Sequence, residues 1–397
     1  MSGWRDTLVQ TANGSPKACV ANLELCLMHD RRLVLAYNEW TERAVWLEPP
    51  PWRNCPVGSP VEDADSVGLL AHCERQHGVS CSLPAVGRVI DHHARKRRFD
   101  PMVDYLRALK WDGEQRVLTW LSRYLGAEDS AVTRAVGCSW LIQAAARALE
   151  PGCQADSVLV LEGLQGSRKS SALRVLAGAD WFSDSLPSIT SKDAAIALQG
   201  IWVLEIGEME AVRGVSENAL KAWITRRVES YRPPYAARNI AWGRRCVFVG
   251  TTNDTEYLHD STGNRRWWPV RCTQIDLEAL KRDRDQLWAE AVTLYMDGCR
   301  YWIDRSDKEV YDALVAAQDA RRVQTRWEVL IGQYLDAQTH DEISLEDLCR
   351  HLDLSVERSG DHATATRIGR IVSSLGWRSE QVLRGGVRRR VYRRIHS

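Results

Sequence analysis

The strongest chemical signal in the chain lies in Gly163, Gly166, Ser167, Arg168, Lys169, Ser170 and Ser171. An apolar run, Val158 to Leu161, leads into this glycine-containing loop, and a stretch of helical character, Ser171 to Leu176, leaves it. Strand, loop and helix in that order form a phosphate-binding loop. Backbone N–H groups at the helix start wrap a polyphosphate, Lys169 reaches the outer phosphates, and the Ser170 hydroxyl holds Mg²⁺. The pattern is Gly-x-x-Gly-x-Arg-Lys-Ser, with Arg168 where a glycine usually precedes the lysine.

Two later strands are expected to bring further groups to the loop. Gly200 to Glu208 reads as an apolar strand ending in acids. A carboxylate at the carboxyl end of a buried strand is placed to order Mg²⁺ and an attacking water. Glu208, following the strand, suits that task best, and Glu205, inside it, is the second candidate. Surface acids on an edge strand are the plainer alternative, weakened by a separation from Lys169 long enough for a crossover helix and another strand. Arg245 to Asn253 is a second apolar run, and its terminal amide is expected beside the phosphate loop, holding the attacking water.

Arg265 and Arg266 precede an extended segment at Trp267 and Trp268. An arginine supplied across a subunit interface raises phosphoryl-transfer rates by about 10³ to 10⁵; an ordinary surface ion pair, worth ~1 kcal/mol or less, is the alternative. Between the two strands, Arg227, Arg232, Tyr235 and Arg238, with Tyr231 and Trp242, could grip a phosphodiester backbone and stack bases. They could equally form a structural hairpin.

These groups need a scaffold, and 397 residues allow two or three domains. The expected fold is α/β, a P-loop ATPase core over 156–305 behind a helical layer over 99–155. An α+β module, conceivably winged-helix-like, is expected over 1–98, a helical linker over 306–326 and a winged helix over 327–397. In that last segment three helices precede a hairpin at Gly385-Gly386, the winged-helix order. Nine arginines face one acid, Glu380, between Arg367 and Arg394. Arg384, Arg388, Arg389 and Arg390 are therefore expected to contact nucleic acid rather than protein.

Cys73, His77 and Cys81 are spaced by four, which on one helix would align three zinc ligands, with His92 or His93 as a fourth. Gly78 and Pro84 interrupt such a helix, so free thiols are the preferred reading. The basic run Arg95 to Arg98 reads as a solvated helix end. The 11 cysteines contain no Cys-x-x-Cys pair, and Met1 to Gln10 is charged and short of apolar residues, as expected of a reducing cytoplasm. No apolar run approaches the ~20 residues of a membrane span. The net charge of +1 hides any local basic patch, and the 17 Trp against 3 Phe have no explanation in sequence terms.

With these residues in view, the chain resembles the virulence-associated protein E family of phages and mobile elements, whose ATPase domain is similar to superfamily 3 helicases of the AAA+ class. The resemblance runs roughly from Leu106 to Ile303, through PGCQADSVLVLEGLQGSRKSSALRVLAG, WFSDSLPSITSKDAAIALQGIWVLEIGEME, LKAWITRRVESYRPPYAARN, VFVGTTNDTEYLHDSTGNRRWWPV and RDQLWAEA. It implies ATP and Mg²⁺ as cofactors, Walker A roles for Lys169 and Ser170, the Walker B acid at Glu208, a sensor at Asn253 and an arginine finger at Arg265 or Arg266. It implies a DNA-contacting pore hairpin over Lys221 to Arg238. A homo-oligomeric ring, hexameric in this class, acting on single-stranded or forked DNA with a primase or other replication proteins would follow. The chain departs from the family pattern at Arg168, which either strains the loop or adds a phosphate-facing cation, and in spacing Glu205 from Glu208. A DNA-binding ATP switch that loads without unwinding, and a small-molecule kinase, are the rival readings.

Overall fold

The computed structural model describes residues 3–189, 191, 193–207, 217–232, 239–258, 264–338, 340–353, 362–384 and 387–395. Two units divide the chain, Met1–Asn253 with Trp268–Tyr311 and Asp254–Trp267 with Asp312–Ser397.

The first unit begins with a small α+β module. Strands β1 (Leu35–Asn38) and β2 (Arg43–Trp46) form an antiparallel hairpin, and β3 (Arg98–Phe99) joins β1 in parallel. Apolar residues of the helices Val20–His29, Asp63–His77 and Leu83–Ala94, among them Leu23, Leu69 and Ile90, share one core with Leu35 and Trp46. Asp65 ties this core together, accepting from Trp46 Nε1 and Trp52 Nε1 at 3.0 Å each and from Arg53 at 2.9 Å. The basic run is absorbed by the module itself: Arg95 donates to the Tyr37 hydroxyl, Lys96 pairs with Glu24 and Arg98 with Glu39.

The zinc spacing does not survive folding. The helix stops at Gly78, φ +66°, so Cys81 leaves the face that Cys73 and His77 share. Cys73 turns into the apolar core. His77 instead joins His72 on Asp30, their Nε2 atoms 3.0 and 2.8 Å from Asp30 Oδ2. Arg5, always a donor, meets His77 Nδ1 at 3.2 Å, which leaves the ring proton on Nε2, the nitrogen a metal would need bare. Burial opposes the charge of Asp30, but Arg32, His72 and His77 outweigh it and hold the carboxyl well below the usual carboxylate range. The cluster is a closed ionic network.

The rest of the unit is built on a sheet of continuous apolar runs, buried on both faces as parallel strands are. Its strands are β4 (Val158–Glu162), β5 (Phe182–Ser183) and β6 (Val203–Ile206), followed by the separate hairpin β7 (Val228–Tyr231) and β8 (Ile240–Gly243), then β9 (Val247–Thr252) and β10 (Trp267–Arg271). The order across the sheet is β10-β4-β9-β6-β5, with the β4–β9, β9–β6 and β6–β5 pairs parallel. The crossover order puts β4 and β6 on either side of β9, so the ends of all three converge.

The helices Ala131–Leu149 and Leu277–Met296 pack beside this sheet, the first capped by the Ser130 hydroxyl, the second by the Asp276 carboxylate. Tryptophan explains how the layers are fastened. Trp140 Nε1 donates to Phe248 O at 3.0 Å, Trp202 Nε1 to Ala144 O at 2.9 Å and Trp288 Nε1 to Leu176 O at 2.8 Å. Each indole fills core volume and also satisfies a carbonyl of the neighbouring layer, which phenylalanine cannot do.

In the second unit, the helix Lys308–Asp319 precedes the helix Arg326–Asp336, which opens on a reciprocal Thr325/Glu328 cap. There follow β11 (Glu342–Ser344), the helices Leu345–His351 and His362–Ser374, and the strands β12 (Trp377–Arg384) and β13 (Val387–Arg394). The strands form an antiparallel sheet in the order β11-β13-β12. Ile331, Leu348, Ile368, Val372, Trp377 and Tyr392 fill its core. Gly385 and Gly386 lie outside the described residues. No helix among the described residues is long and apolar enough to cross a membrane.

Candidate active site

The loop after β4 bends because two glycines permit it. Gly166 has φ +78°, and a Cβ on Gly163 would sit 2.9 Å from Cys272 O, so the close approach of the chain after β10 requires glycine. Arg168 is the N-cap of the helix Lys169–Ala177 and lies in the left-handed region at φ +68°, ψ 25°. A side chain there costs roughly 1–2 kcal/mol relative to a right-handed residue, which is the physical reason glycine is usual at this position.

Lys169 is buried and folds back into the loop. Its Nζ donates to Gly163 O at 2.9 Å, Leu164 O at 3.0 Å, Ser167 Oγ at 3.3 Å and Asn253 Oδ1 at 3.0 Å. Burial lowers its pKa below the ordinary lysine value. Asn253 arrives at the end of β9, the parallel neighbour of β4, as the apolar run implied.

Ser170 Oγ donates to Glu205 Oε1 at 2.7 Å, and Thr251 Oγ1 donates to the same oxygen at 2.6 Å. Glu205 is only 2 % exposed, and its Oε2 is buried with no hydrogen-bond partner among the described residues. One oxygen accepts two hydrogen bonds and the other is left for a cation or a water to complete. The structure thus brings Glu205, the second candidate of the strand, onto the serine. Glu208, the first, lies outside the described residues. The part of Thr251 was not visible in sequence: parallel pairing of Glu205 with Val249 puts Thr251, two residues on, on the same face.

A cavity of about 340 Å³ opens on these groups, lined by Gln165, Gly166, Ser167, Arg168, Lys169, Ser170, Ser171, Thr251, Thr252 and Asn253. The lining is backbone amide, hydroxyl, amide and cation, a donor set suited to a polyphosphate with a divalent metal. The orphan oxygen of Glu205 beside the Ser170 hydroxyl fits Mg²⁺, which takes oxygen ligands.

The hairpin β7–β8 is anchored at its base. Arg244 and Glu229 form a wholly buried ion pair, and Arg244 also donates to Ile224 O at 3.2 Å. Arg227 Nε donates to Gly152 O at 2.7 Å, so this residue helps to seat the hairpin. Arg232 is exposed just past β7; Tyr235 and Arg238 lie outside the described residues.

Arg265 and Arg266 form a short 3-10 turn in the second unit, Arg265 exposed and Arg266 half-buried. There the turn's strand end is held by Gln318 Nε2, which donates to Trp267 O at 2.8 Å.

The basic C-terminal segment is less one-sided than its composition. Acids from outside that stretch join Glu380: Arg389 lies 3.3 Å from Glu346, and Arg393 bridges Glu342 at 3.0 Å and Glu380 at 3.2 Å. Arg394 lies over the Trp377 ring and Arg367 over Trp327. Arg390 has no acid beside it among the described residues. Arg384 and Arg388 occupy strand ends whose side chains lie outside the described residues.

Residues 106–323 match the family described as the Virulence-associated protein E-like domain. No curated protein matches the chain. Among solved structures, an apo form of the NrS-1 C-terminal region is similar at 12 % identity over 94 % of this chain and 98 % of that one, with a TM-score of 0.49. A second apo structure of the region is similar at 14 % identity over 90 % and 95 %, with a TM-score of 0.46.

Proposed function

We propose, for a chain that belongs to the Virulence-associated protein E-like domain family, that it is an Mg²⁺-dependent ATPase which forms a ring and separates DNA strands in the replication of a phage or mobile element. The observation that carries this reading is the hydrogen bond from Ser170 to the buried Glu205 carboxylate behind a cavity that Ser170, Lys169 and Asn253 line.

Each residue then has a task. The backbone N–H groups from Ser167 to Ser171 wrap the phosphate chain, and Lys169 exchanges its neutral loop acceptors for phosphate oxygens. Ser170 and Glu205 hold the metal, Thr251 fixes the Glu205 carboxylate, and Asn253, released from Lys169, orients the attacking water. Mg²⁺ held by Ser170 and Glu205 would offset the negative charge that develops on the phosphates. Glu208 is the candidate for polarising that water. Arg265 or Arg266 would complete the site of a neighbouring subunit, which makes a ring, hexameric in this reading, the active form.

The helix–strand–helix–helix–hairpin order of the second unit supports a winged helix as a second DNA contact, alongside the β7–β8 hairpin. A primase or another replication protein is the expected associate. The test is ATP hydrolysis and strand displacement on forked DNA, with Lys169→Ala alongside. Both activities should depend on Lys169. Hydrolysis by Lys169→Ala at the wild-type rate refutes the site; turnover without displacement refutes the helicase and favours a loader.

A further inference from the structure

A left-handed arginine at the mouth of a phosphate loop is unusual, because glycine would hold that backbone at no cost. Among the described residues only Glu42, Arg168 and Asp353 combine a side chain with positive φ, and only Arg168 lines the cavity. Backbone strain of this kind persists only where the surrounding structure holds it, and it clusters at ligand-binding sites.

Two observations say what that is. The other cation of the loop, Lys169, is occupied by four oxygen acceptors. Arg168, by contrast, is exposed on the cavity wall, and its guanidinium has no partner among the described residues. A guanidinium is a planar fork that meets two phosphate oxygens at once, and it keeps its charge at any physiological pH. Independently, Ser170 on the same cavity wall donates to the buried Glu205 carboxylate, whose second oxygen has no partner among the described residues, a place for the cation that accompanies a phosphate chain.

We propose that Arg168 is a phosphate-gripping residue which selects nucleotides by the length of their phosphate chain, triphosphate over monophosphate, before Lys169 is released from the loop. This rests on the nucleotide-site reading above. The left-handed backbone is what lets residue 168 serve both as the helix cap and as a side-chain ligand on the cavity wall.

Titrations of the full chain with ATP, ADP and AMP in Mg²⁺ test it, using wild type, Arg168→Gly, Arg168→Lys and Lys169→Ala, together with thermal melts of each without nucleotide. Arg168→Gly should melt about 2 °C higher through relief of the left-handed side chain, yet bind ATP roughly tenfold more weakly, with a smaller loss for ADP and none for AMP. Arg168→Lys should recover part of the ATP affinity. If Arg168→Gly binds ATP as tightly as wild type while Lys169→Ala does not, the arginine is merely tolerated and this proposal falls alone. If wild type binds no nucleotide, the site reading falls and takes this proposal with it.

Discussion

Lys169 Nζ and Asn253 Oδ1 stand 3.0 Å apart, joining residues 84 positions apart in the chain across the seam between β4 and β9. The amide at the end of the second strand therefore occupies the cation, and in the proposed reading a phosphate would have to displace it. Asn253→Asp converts this neutral contact into a partly buried ion pair, which a nucleotide must break. ATP affinity should fall tenfold or more, about 1.4 kcal/mol. Asn253→Ala should bind ATP normally and lose about 10² in kcat, because the water loses its orienting group. Calorimetric titration and phosphate release separate the two effects, and equal behaviour of both variants would contradict the arrangement.

Glu205→Gln removes the charge but keeps an oxygen for Ser170 and Thr251. The variant should fold with little change in melting temperature. Its half-saturating Mg²⁺ for hydrolysis should rise by at least about tenfold, since a carboxylate is traded for a neutral ligand. Chelation with EDTA should abolish turnover in wild type. Mg²⁺ titrations of hydrolysis check both; an unchanged Mg²⁺ requirement would shift the metal to Glu208.

Much of this site was legible because its parts are local or lie at strand ends. An apolar run followed by glycines, lysine and serine announces strand, loop and helix, and the run ending in Asn253 announces a second strand. What the chain order hid was pairing. Glu205 sits in mid-strand by sequence, yet its register beside β9 turns it onto Ser170 and Thr251. Gly78, read in the sequence as a break between Cys73, His77 and Cys81, does end the helix; what the sequence hid is that Asp30, from another helix terminus, claims His77. Trp140, Trp202 and Trp288 gain their meaning only once layers exist for their indoles to bridge.

Asp30 gives the N-terminal module a defined acid sensitivity. Its folded pKa lies below the unfolded value of about 3.9. The unfolded chain therefore takes up the proton first as pH drops. The stabilisation is complete above that pH and is lost as pH falls through the depressed folded value. Asp65 acts in the same window: burial opposes its charge, but Glu62 N–H, Trp46, Trp52 and Arg53 outweigh it. Urea melts between about pH 2 and pH 5 should show stability falling steadily with acid. Asp30→Asn should cost about 3 kcal/mol at neutral pH, by leaving His72 and Arg32 without their anion, and should flatten the acid slope. An unaltered slope would place the titration elsewhere.

The arginines of β13 divide by what stands beside them. Arg389 and Arg393 face Glu346, Glu342 and Glu380, so phosphate must compete with carboxylates already in place. Arg390 has no such competitor. If the second unit binds duplex DNA, each phosphate contact releases counterions and contributes about 0.9 to the slope of log affinity against log salt. Arg390→Ala should lower that slope by about one contact and weaken binding alike across DNA sequences. Arg393→Ala should change the slope by less, because Glu342 and Glu380 already neutralise much of its charge. Fluorescence anisotropy over a range of salt concentrations distinguishes them. Equal slopes for wild type and Arg390→Ala would mean that this sheet contacts protein, leaving DNA to the hairpin of the first unit.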